Sequence, residues 1–212
     1  MTALSRRAFA AAALAGLLAG CDGAADHRAP AAHATAGGAV DLPGGATPSG
    51  PHAAESPRAL GRSVPVGLRI PAIGVDTAVL ALGLAPDGGV QVPPVVAHDK
   101  AGWYRHSPTP GQTGPSVILG HVTVGAHGDG VFRHLARLRR GDRVDVRLEN
   151  GRAPVFTVGS VRTVAKTAFP SDAVYGDVDR PELRLITCGG ARTGDGYADN
   201  VIVFATLGSG AP

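Results

Sequence analysis

Short apolar runs, separated by glycine- and proline-rich turns, occupy the sequence between residues 63 and 207. In residues 144–148, valine and leucine alternate with aspartate and arginine, and the turn dipeptide Asn150-Gly151 follows. Such alternation is typical of a half-exposed strand that leads into a hairpin. The runs recur without the strand–helix rhythm of a parallel sheet, so the sequence predicts an all-β fold, a closed or nearly closed barrel of about eight short strands.

Helices are predicted to be few and short. Phe132, Leu135 and Leu138 recur every three residues, which indicates one or two helical turns. The 31 glycines and 17 prolines favour turns and short strands over long helices. Only two of the 20 basic residues are lysines, which together with abundant alanine and glycine indicates a GC-rich coding sequence. The net charge is +3 and the arginines are scattered, so a nucleic-acid partner is not expected.

Residues 1–21 are predicted to be a lipoprotein-type export signal. Arg6 and Arg7 precede an apolar run at residues 8–20, which is too short to span a bilayer as a permanent helix. The run leads directly into Leu-Ala-Gly-Cys, which resembles a bacterial lipobox with Cys21 as the lipid attachment site. The paired arginines also resemble the twin-arginine export motif. The export route stays open at this stage, as does an ordinary signal with an incidental cysteine.

Residues 22–62 are rich in alanine, glycine, proline, serine and histidine and have almost no large apolar side chains. Such a segment cannot bury enough surface to offset the entropy of ordering it, so it is predicted to be a disordered tether. The domain that follows, residues 63–212, is predicted to carry the chemistry.

The stretch LRLITCGG, residues 183–190, contains the second of the two cysteines. Its apolar run is predicted to be a strand that ends at Cys188, with a turn at the two glycines, which would keep a thiol rigid and accessible. If Cys21 carries lipid, Cys188 has no disulfide partner, and a lone thiol in an exported protein points to a nucleophile. A buried structural cysteine and a Cys21–Cys188 disulfide are the alternatives.

A cysteine nucleophile needs a group that makes or stabilises its thiolate, and His121 is the candidate. It lies in SVILGHVTV, residues 116–124, which is predicted to be a strand in which Gly120 leaves room beside the imidazole. The alternative is a hydrogen-bonded histidine at the barrel rim. No histidine pair has metal-binding spacing and no glycine-rich segment ends in lysine-serine, so neither a metal nor a cofactor is expected.

Together these motifs resemble the sortases, and most closely the class F type common in actinobacteria. The resemblance rests on LRLITCGG, on the downstream DNVIVFA at residues 199–205 and on ILGHV at residues 118–122. The following pieces continue it in the family's order, so that it runs from about residue 66 to residue 207: Trp103-Tyr104, Ser107-Pro108, Pro110-Gly111, Gly141-Asp142, Phe169-Pro170 and Val174-Tyr175-Gly176.

The resemblance implies an eight-stranded β-barrel and a cysteine transpeptidase that cleaves an LPXTG-like sorting signal of exported proteins. Cys188 would form a thioester with the signal, and His121 would act as general acid and base. The acyl group would pass to an amine, such as one on a peptidoglycan precursor. These partners imply a place at the extracytoplasmic face of the membrane or in the cell wall of a high-GC Gram-positive bacterium, where Cys21 would supply a lipid anchor.

The arginine of the family has no direct counterpart in this sequence. In many sortases it lies directly before the last apolar strand, where this chain has Asn200. Arg192, predicted to lie in a loop after Cys188, is therefore the first candidate for the oxyanion donor, and Arg184 and Arg133 are the fallbacks.

Two other functions remain open. A thiol hydrolase would use the same residues and pass the thioester to water. A lipid-anchored, inactive sortase-like binding protein is the second, because the arginine before the last strand is missing. An L,D-transpeptidase is not favoured, since its usual His-Gly-Cys neighbourhood is absent from the sequence.

Overall fold

The computed structural model describes residues 58–194 and 196–208. The predicted export signal with Cys21 and most of the predicted tether lie outside this part of the chain. Among the described residues, no helix has both the length and the apolar character needed to cross a membrane.

Strands make up most of the described chain. They are β1 (Pro65–Ile70), β2 (Val75–Leu82), β3 (Ala101–Tyr104), β4 (Gly114–Leu119), β5 (Thr123–Val124), β6 (Gly128–Asp129), β7 (Arg143–Leu148), β8 (Val155–Ala165), β9 (Pro181–Thr193) and β10 (Gly196–Leu207). An α-helix, α1 (Ser171–Tyr175), lies between β8 and β9. Short 3-10 turns occupy Pro71–Ile73, Val95–Ala97, Gly125–His127, Leu135–Arg137 and Lys166–Ala168.

Eight of these strands close into a barrel in the order β1-β2-β3-β4-β9-β10-β8-β7, and β7 pairs back with β1. The pairs β2–β3 and β4–β9 are parallel, and the other barrel pairs are antiparallel. β5 and β6 form a separate two-stranded hairpin. The predicted fold class, an all-β closed eight-stranded barrel with short helices, is confirmed.

Alternate strand residues fill the barrel interior, because successive side chains of a strand point to opposite faces. On β9, Leu183 and Leu185 are fully buried in this core, whereas Ile186 packs on the outside of the barrel. We call the apolar group around Ile186 the outer cluster. Its buried members are Val117, Val174, Ile186 and Ile202, and Tyr104, Leu119, Val164, Phe169 and Phe204 pack against them.

The connection between β2 and β3 contains no further strand among its described residues. A single bridge joins Leu84 and Val90 there. Pro93 and Pro94 follow shortly after, and neither has the backbone N–H that would continue a ladder. The connection is consequently a long loop.

Contacts with the barrel begin before residue 63, the predicted start of the domain. The N–H of Leu60 donates to the carbonyl of Gly111 at 2.7 Å, and the Leu60 side chain packs against the core. The Arg62 guanidinium lies 5.6 Å from the centre of the Trp103 ring. A Cβ on Gly111 would lie 2.7 Å from Leu60 Cδ1, so the glycine permits this approach. The last residues of the predicted tether therefore belong to the folded unit.

Candidate active site

Cys188 lies on the outer face of β9. It follows Ile186 of the outer cluster by two residues, which puts both side chains on the same face of the strand. Its thiol is free and half-buried. A half-exposed thiol on a paired strand is held rigidly and can still be reached by another molecule, unlike the core residues Leu183 and Leu185.

β9 does not end at Cys188, contrary to the prediction. It continues through Gly189 and Gly190 to Thr193. A Cβ on Gly189 would lie 2.6 Å from the side chain of Val201 on β10, and one on Gly190 would meet the carboxylate of Asp199. The two glycines therefore allow β10 to pack closely beside the thiol, and they do not form a turn.

His121 lies just past the end of β4. The parallel register pairs Leu119 with Ile186, and the N–H of Gly120 donates to the Ile186 carbonyl at 3.1 Å. His121 and Cys188 each lie two residues beyond this last pair of the register. Neighbouring strands are about 4.8 Å apart, so the fold brings the imidazole-bearing and thiol-bearing segments to the same end of β4 and β9.

The predicted strand around His121 breaks because another loop takes over its backbone hydrogen bonds. The N–H of Phe132 donates to the His121 carbonyl at 2.9 Å, and the N–H of Gly130 donates to the Val122 carbonyl at 3.0 Å. A Cβ on Gly120 would lie 2.6 Å from the Phe132 ring. The glycine thus makes room for Phe132, whereas the sequence suggested room for the imidazole.

The loop between β2 and β3 anchors the imidazole. Nε2 of His121 lies 2.7 Å from the carbonyl oxygen of Pro93. A carbonyl oxygen can only accept, so Nε2 carries the hydrogen, and Nδ1 of the neutral ring is left as the acceptor. Within the described residues, no hydrogen bond joins this ring to the Cys188 thiol. Such bonds between reacting groups often tighten only when substrate binds.

Arg192 stands on the other face of β9 from the thiol. It pairs with Tyr197, whereas Cys188 pairs with Asn200. Tyr197 and Asn200 are three residues apart and so belong to opposite faces of β10. The change of face comes from a β-bulge at Gly190, whose φ is 73°, because β9 has one residue more than β10 between the two pairs.

Arg184 shares the outer face with Cys188 but is engaged elsewhere. Its Nη2 lies 2.6 Å from the Glu182 carboxylate, and its side chain is only 4% exposed. Its Nε donates to the Ala173 carbonyl at 3.2 Å, and its guanidinium lies 4.7 Å from the centre of the Phe204 ring. Four residues of strand, about 13 Å, separate it from Cys188. The ion pair and this distance both argue against Arg184 as an oxyanion donor.

Two other arginines near the site also have partners. Arg133, the second fallback, lies in the loop after His121 and is exposed, with its guanidinium 3.1 Å from the Asp129 carboxylate. Arg162 belongs to β8, and its guanidinium lies 4.9 Å from the centre of the Phe204 ring.

Asn200 is the residue of the site that the sequence analysis did not select. It is directly opposite Cys188 in the β9–β10 register, and it is half-buried. The signal that could have found it is its position immediately before the last apolar run, which the sequence analysis treated only as a departure from the family pattern.

Aromatic rings border the outer cluster on the side of α1. The Tyr175 ring centre lies 6.1 Å from that of Phe169 and 6.4 Å from that of Tyr104. Partial burial raises the pKa of Tyr175 above its ordinary value, and the neighbouring Tyr104 hydroxyl adds to the rise. These rings and α1 cover one end of the outer cluster, and the Cys188 end stays half-exposed.

Comparison with known families agrees with this geometry. A family model described as "Sortase domain" matches residues 68–208, nearly the whole barrel. The chain belongs to the sortase family.

Solved sortases share the fold of this sortase. Sortase A from Corynebacterium diphtheriae gives a TM-score of 0.54 at 18% identity, over 72% of this chain and 64% of that one. Sortase C-1 from Actinomyces oris gives 0.52 at 19% identity, over 69% and 73%. A sortase D5 transpeptidase from Clostridium perfringens gives 0.50 at 23%, over 68% and 78%. This sortase thus spans slightly less than two thirds of the first structure, and no curated protein sequence matches it.

Proposed function

We propose that this sortase is a cysteine transpeptidase that cleaves an LPXTG-like sorting signal and transfers the acyl group to an amine. The observation that carries the proposal is the parallel register of β4 and β9, which brings the segments of His121 and of the half-exposed Cys188 thiol to the same end of the two strands. The sortase-domain match over residues 68–208 supports it.

In the first half-reaction, the Cys188 thiolate attacks the carbonyl carbon of the Thr–Gly bond. A C–S bond forms, the C–N bond breaks, and the His121 imidazolium gives a proton to the departing amine nitrogen. The sorting signal is then held as a thioester on Cys188, and the glycine fragment leaves with a free amino group.

In the second half-reaction, the nitrogen of the acceptor amine attacks the thioester carbon. The amine loses a proton to His121, a new amide bond forms, and the C–S bond breaks to restore the thiolate. The Pro93 carbonyl supports both halves, because it holds Nε2–H in one orientation and leaves Nδ1 to exchange the proton.

Apolar side chains near the thiol suit an apolar segment of substrate. Leu119 and Val164 belong to the outer cluster and are half-buried, so part of each remains available for contact. Ligand sites of this kind combine an apolar surface with a few polar groups that fix orientation. The leucine and proline of an LPXTG-like signal would pack here while Cys188 faces the scissile bond.

The motifs LRLITCGG and DNVIVFA support an assignment to class F within the family. The substrates would be exported proteins with a carboxyl-terminal sorting signal, and the acceptor an amine of a peptidoglycan precursor. The export signal, with Cys21 as the lipid attachment site, would hold the enzyme at the extracytoplasmic face of the membrane or in the wall.

Capture of the acyl-enzyme tests the proposal. The protein is mixed with a panel of LPXTG-like peptides and followed by intact-protein mass spectrometry. We expect a thioester adduct on the wild type, none on Cys188→Ala, and acylation slower by about 10²–10⁴-fold for His121→Ala. His106→Ala, which removes an exposed imidazole, is the matched control and should acylate at the wild-type rate.

Addition of a short peptide with a free α-amino group separates the candidate activities. A ligated product supports the transpeptidase, and free acid alone supports the thiol hydrolase. If no peptide of the panel acylates a wild-type protein whose Cys188 still reacts with iodoacetamide, the proposal fails in favour of a sortase-like binding protein.

A further inference from the structure

We propose that Asn200 is the oxyanion donor of this sortase. The inference rests on the proposed acyl transfer and adds a catalytic residue to it. Attack of a thiolate on a carbonyl puts negative charge on the carbonyl oxygen, and a donor aimed at that oxygen is usually the largest source of stabilisation. Arg192 lies on the other face of β9 and Arg184 is paired with Glu182, so the donor must come from elsewhere.

Asn200 has the position that an oxyanion donor needs. It pairs directly with Cys188 across β9 and β10. Directly opposed residues have their Cβ atoms about 4.5–5.5 Å apart and on the same face of the sheet. A carbonyl carbon attacked by Cys188 Sγ would therefore bring its oxygen within reach of the Asn200 amide.

β9 lies between β4 and β10. Cys188 therefore has Asn200 of β10 on one flank and the chain segment that follows β4, which contains His121, on the other. An acyl group on Sγ would thus have a proton carrier for the departing nitrogen on one side and a hydrogen-bond donor for the oxygen on the other. Acyl transfer needs this separation, because the oxyanion and the leaving nitrogen point in different directions from the tetrahedral carbon.

The Asn200 amide has no structural task in the described part of the chain, where its side chain forms no hydrogen bond. Across β8 it pairs with Val164, and Ile202 is its next neighbour on the same face of β10. Neither neighbour has a polar side-chain group. Apolar surroundings strengthen a hydrogen bond to an anionic oxygen, so a free amide here would stabilise the charge effectively.

The step balances without a proton from Asn200. As the C–S bond forms, the π electrons of the carbonyl move onto its oxygen, and the Nδ2–H of Asn200 donates to that oxygen. When the tetrahedral intermediate collapses, the C=O bond returns, the C–N bond breaks, and the proton on the leaving nitrogen comes from His121. Asn200 keeps both its protons throughout.

An activated ester tests the role of Asn200 independently of the natural substrate. p-Nitrophenyl acetate acetylates a thiolate through the same tetrahedral oxyanion and releases p-nitrophenolate. Iodoacetamide alkylates the same thiolate without an oxyanion. We expect Asn200→Ala to slow acetylation at least tenfold and to leave the alkylation rate within twofold of wild type. Asn200→Asp, which keeps the shape and loses the donor, should also acetylate at least tenfold more slowly.

Thr206→Ala is the matched control, because Thr206 is exposed on the same face of β10, six residues from Asn200. It should leave both rates unchanged. Wild-type acetylation by Asn200→Ala would overturn the inference, and so would an equal loss of acetylation and alkylation, since Asn200 would then act on the thiol itself. A tenfold loss in Arg192→Ala with none in Asn200→Ala would return the role to the arginine.

The two probes also separate this inference from the proposed function. If the ester acetylates the protein in a way that depends on Asn200, and no LPXTG-like peptide acylates it, the proposed substrate is wrong and the role of Asn200 as oxyanion donor stands. If the peptides acylate wild type and Asn200→Ala at equal rates, the proposed function stands and the role of Asn200 as oxyanion donor is wrong. If neither the ester nor the peptides acylate the wild type, both proposals fail.

Discussion

On the outer face of β9, one side chain is accessible to other molecules and another is held by contacts within the protein. Cys188 is half-exposed, whereas Arg184, four residues earlier on the same face, is buried and paired with Glu182. Removal of one partner of a buried ion pair destabilises a protein strongly, because the other charge stays buried without compensation. We therefore assign Arg184 and Glu182 to the packing of α1 against the barrel.

Glu182→Gln should destabilise the protein by about 3–5 kcal/mol, because it leaves the Arg184 guanidinium buried without its counter-charge. Urea denaturation measures the change. Asp76→Asn is the control, since it removes the partner of Arg147 in an exposed pair and should cost about 1 kcal/mol or less. If both variants lose the same small amount of stability, the buried pair contributes no more to stability than the exposed one.

At the scale of secondary-structure elements, the bulge in β9 decides which residues can share the face of the thiol. Gly190 has a φ of 73°, and the Asp199 side chain lies where its Cβ would be. A residue with a side chain is strained in this backbone region and would also displace Asp199.

Gly190→Ala should therefore lower the free energy of unfolding by about 1–3 kcal/mol and change the alkylation rate of Cys188, because the bulge lies two residues from the thiol. Urea denaturation and iodoacetamide labelling measure the two effects. Gly194→Ala is the control, because a Cβ there would meet no atom within 4 Å, and a change within about 0.5 kcal/mol is expected. If the two variants are equally stable, the bulge does not require glycine.

Elements with a local signal could be predicted from the sequence. The alternation in β7 and the Asn150-Gly151 turn are encoded in consecutive residues, and the structure has both. The end of β9 could not be predicted, because glycines usually mark turns and here they accommodate side chains of β10.

The candidate site shows the same limit. Cys188 and His121 were selected from their motifs, but what brings their segments to the same end of the barrel is the parallel pairing of β4 with β9, which links distant parts of the chain. Arg192 was selected because it was predicted to lie in a loop after Cys188, but it belongs to β9, and one bulge residue moves it to the other face. Asn200 was not selected, because only the β9–β10 register shows that it is opposite the thiol.

At the scale of the whole molecule, stability should depend on alkaline pH through Tyr175. Its raised pKa means that the folded protein holds the phenol proton more tightly than the unfolded chain, whose ordinary value is 10.0. The stabilisation is therefore complete below pH 10 and is lost as the pH rises through the raised pKa.

Tyr175→Phe should remove this part of the pH dependence. We expect the stability difference between wild type and variant to be constant below about pH 9 and to shift in favour of the variant above about pH 10. Urea denaturation across this range measures it. Parallel curves up to about pH 12 would exclude Tyr175 as the source.

The position of β9 between β4 and β10 also determines when, during synthesis and folding, the Cys188 thiol can become reactive. β9 and β10, which carry Cys188 and Asn200, come last in the sequence, and β4 keeps an open edge until β9 pairs with it. Pairing between segments that are far apart in the sequence is slow, because the entropy of loop closure opposes it. A nascent or unfinished chain would thus have its thiol without its imidazole and amide neighbours. Closure of the barrel would then be the step that activates the thiol, so that the thiol of an incompletely folded molecule would not attack neighbouring polypeptides.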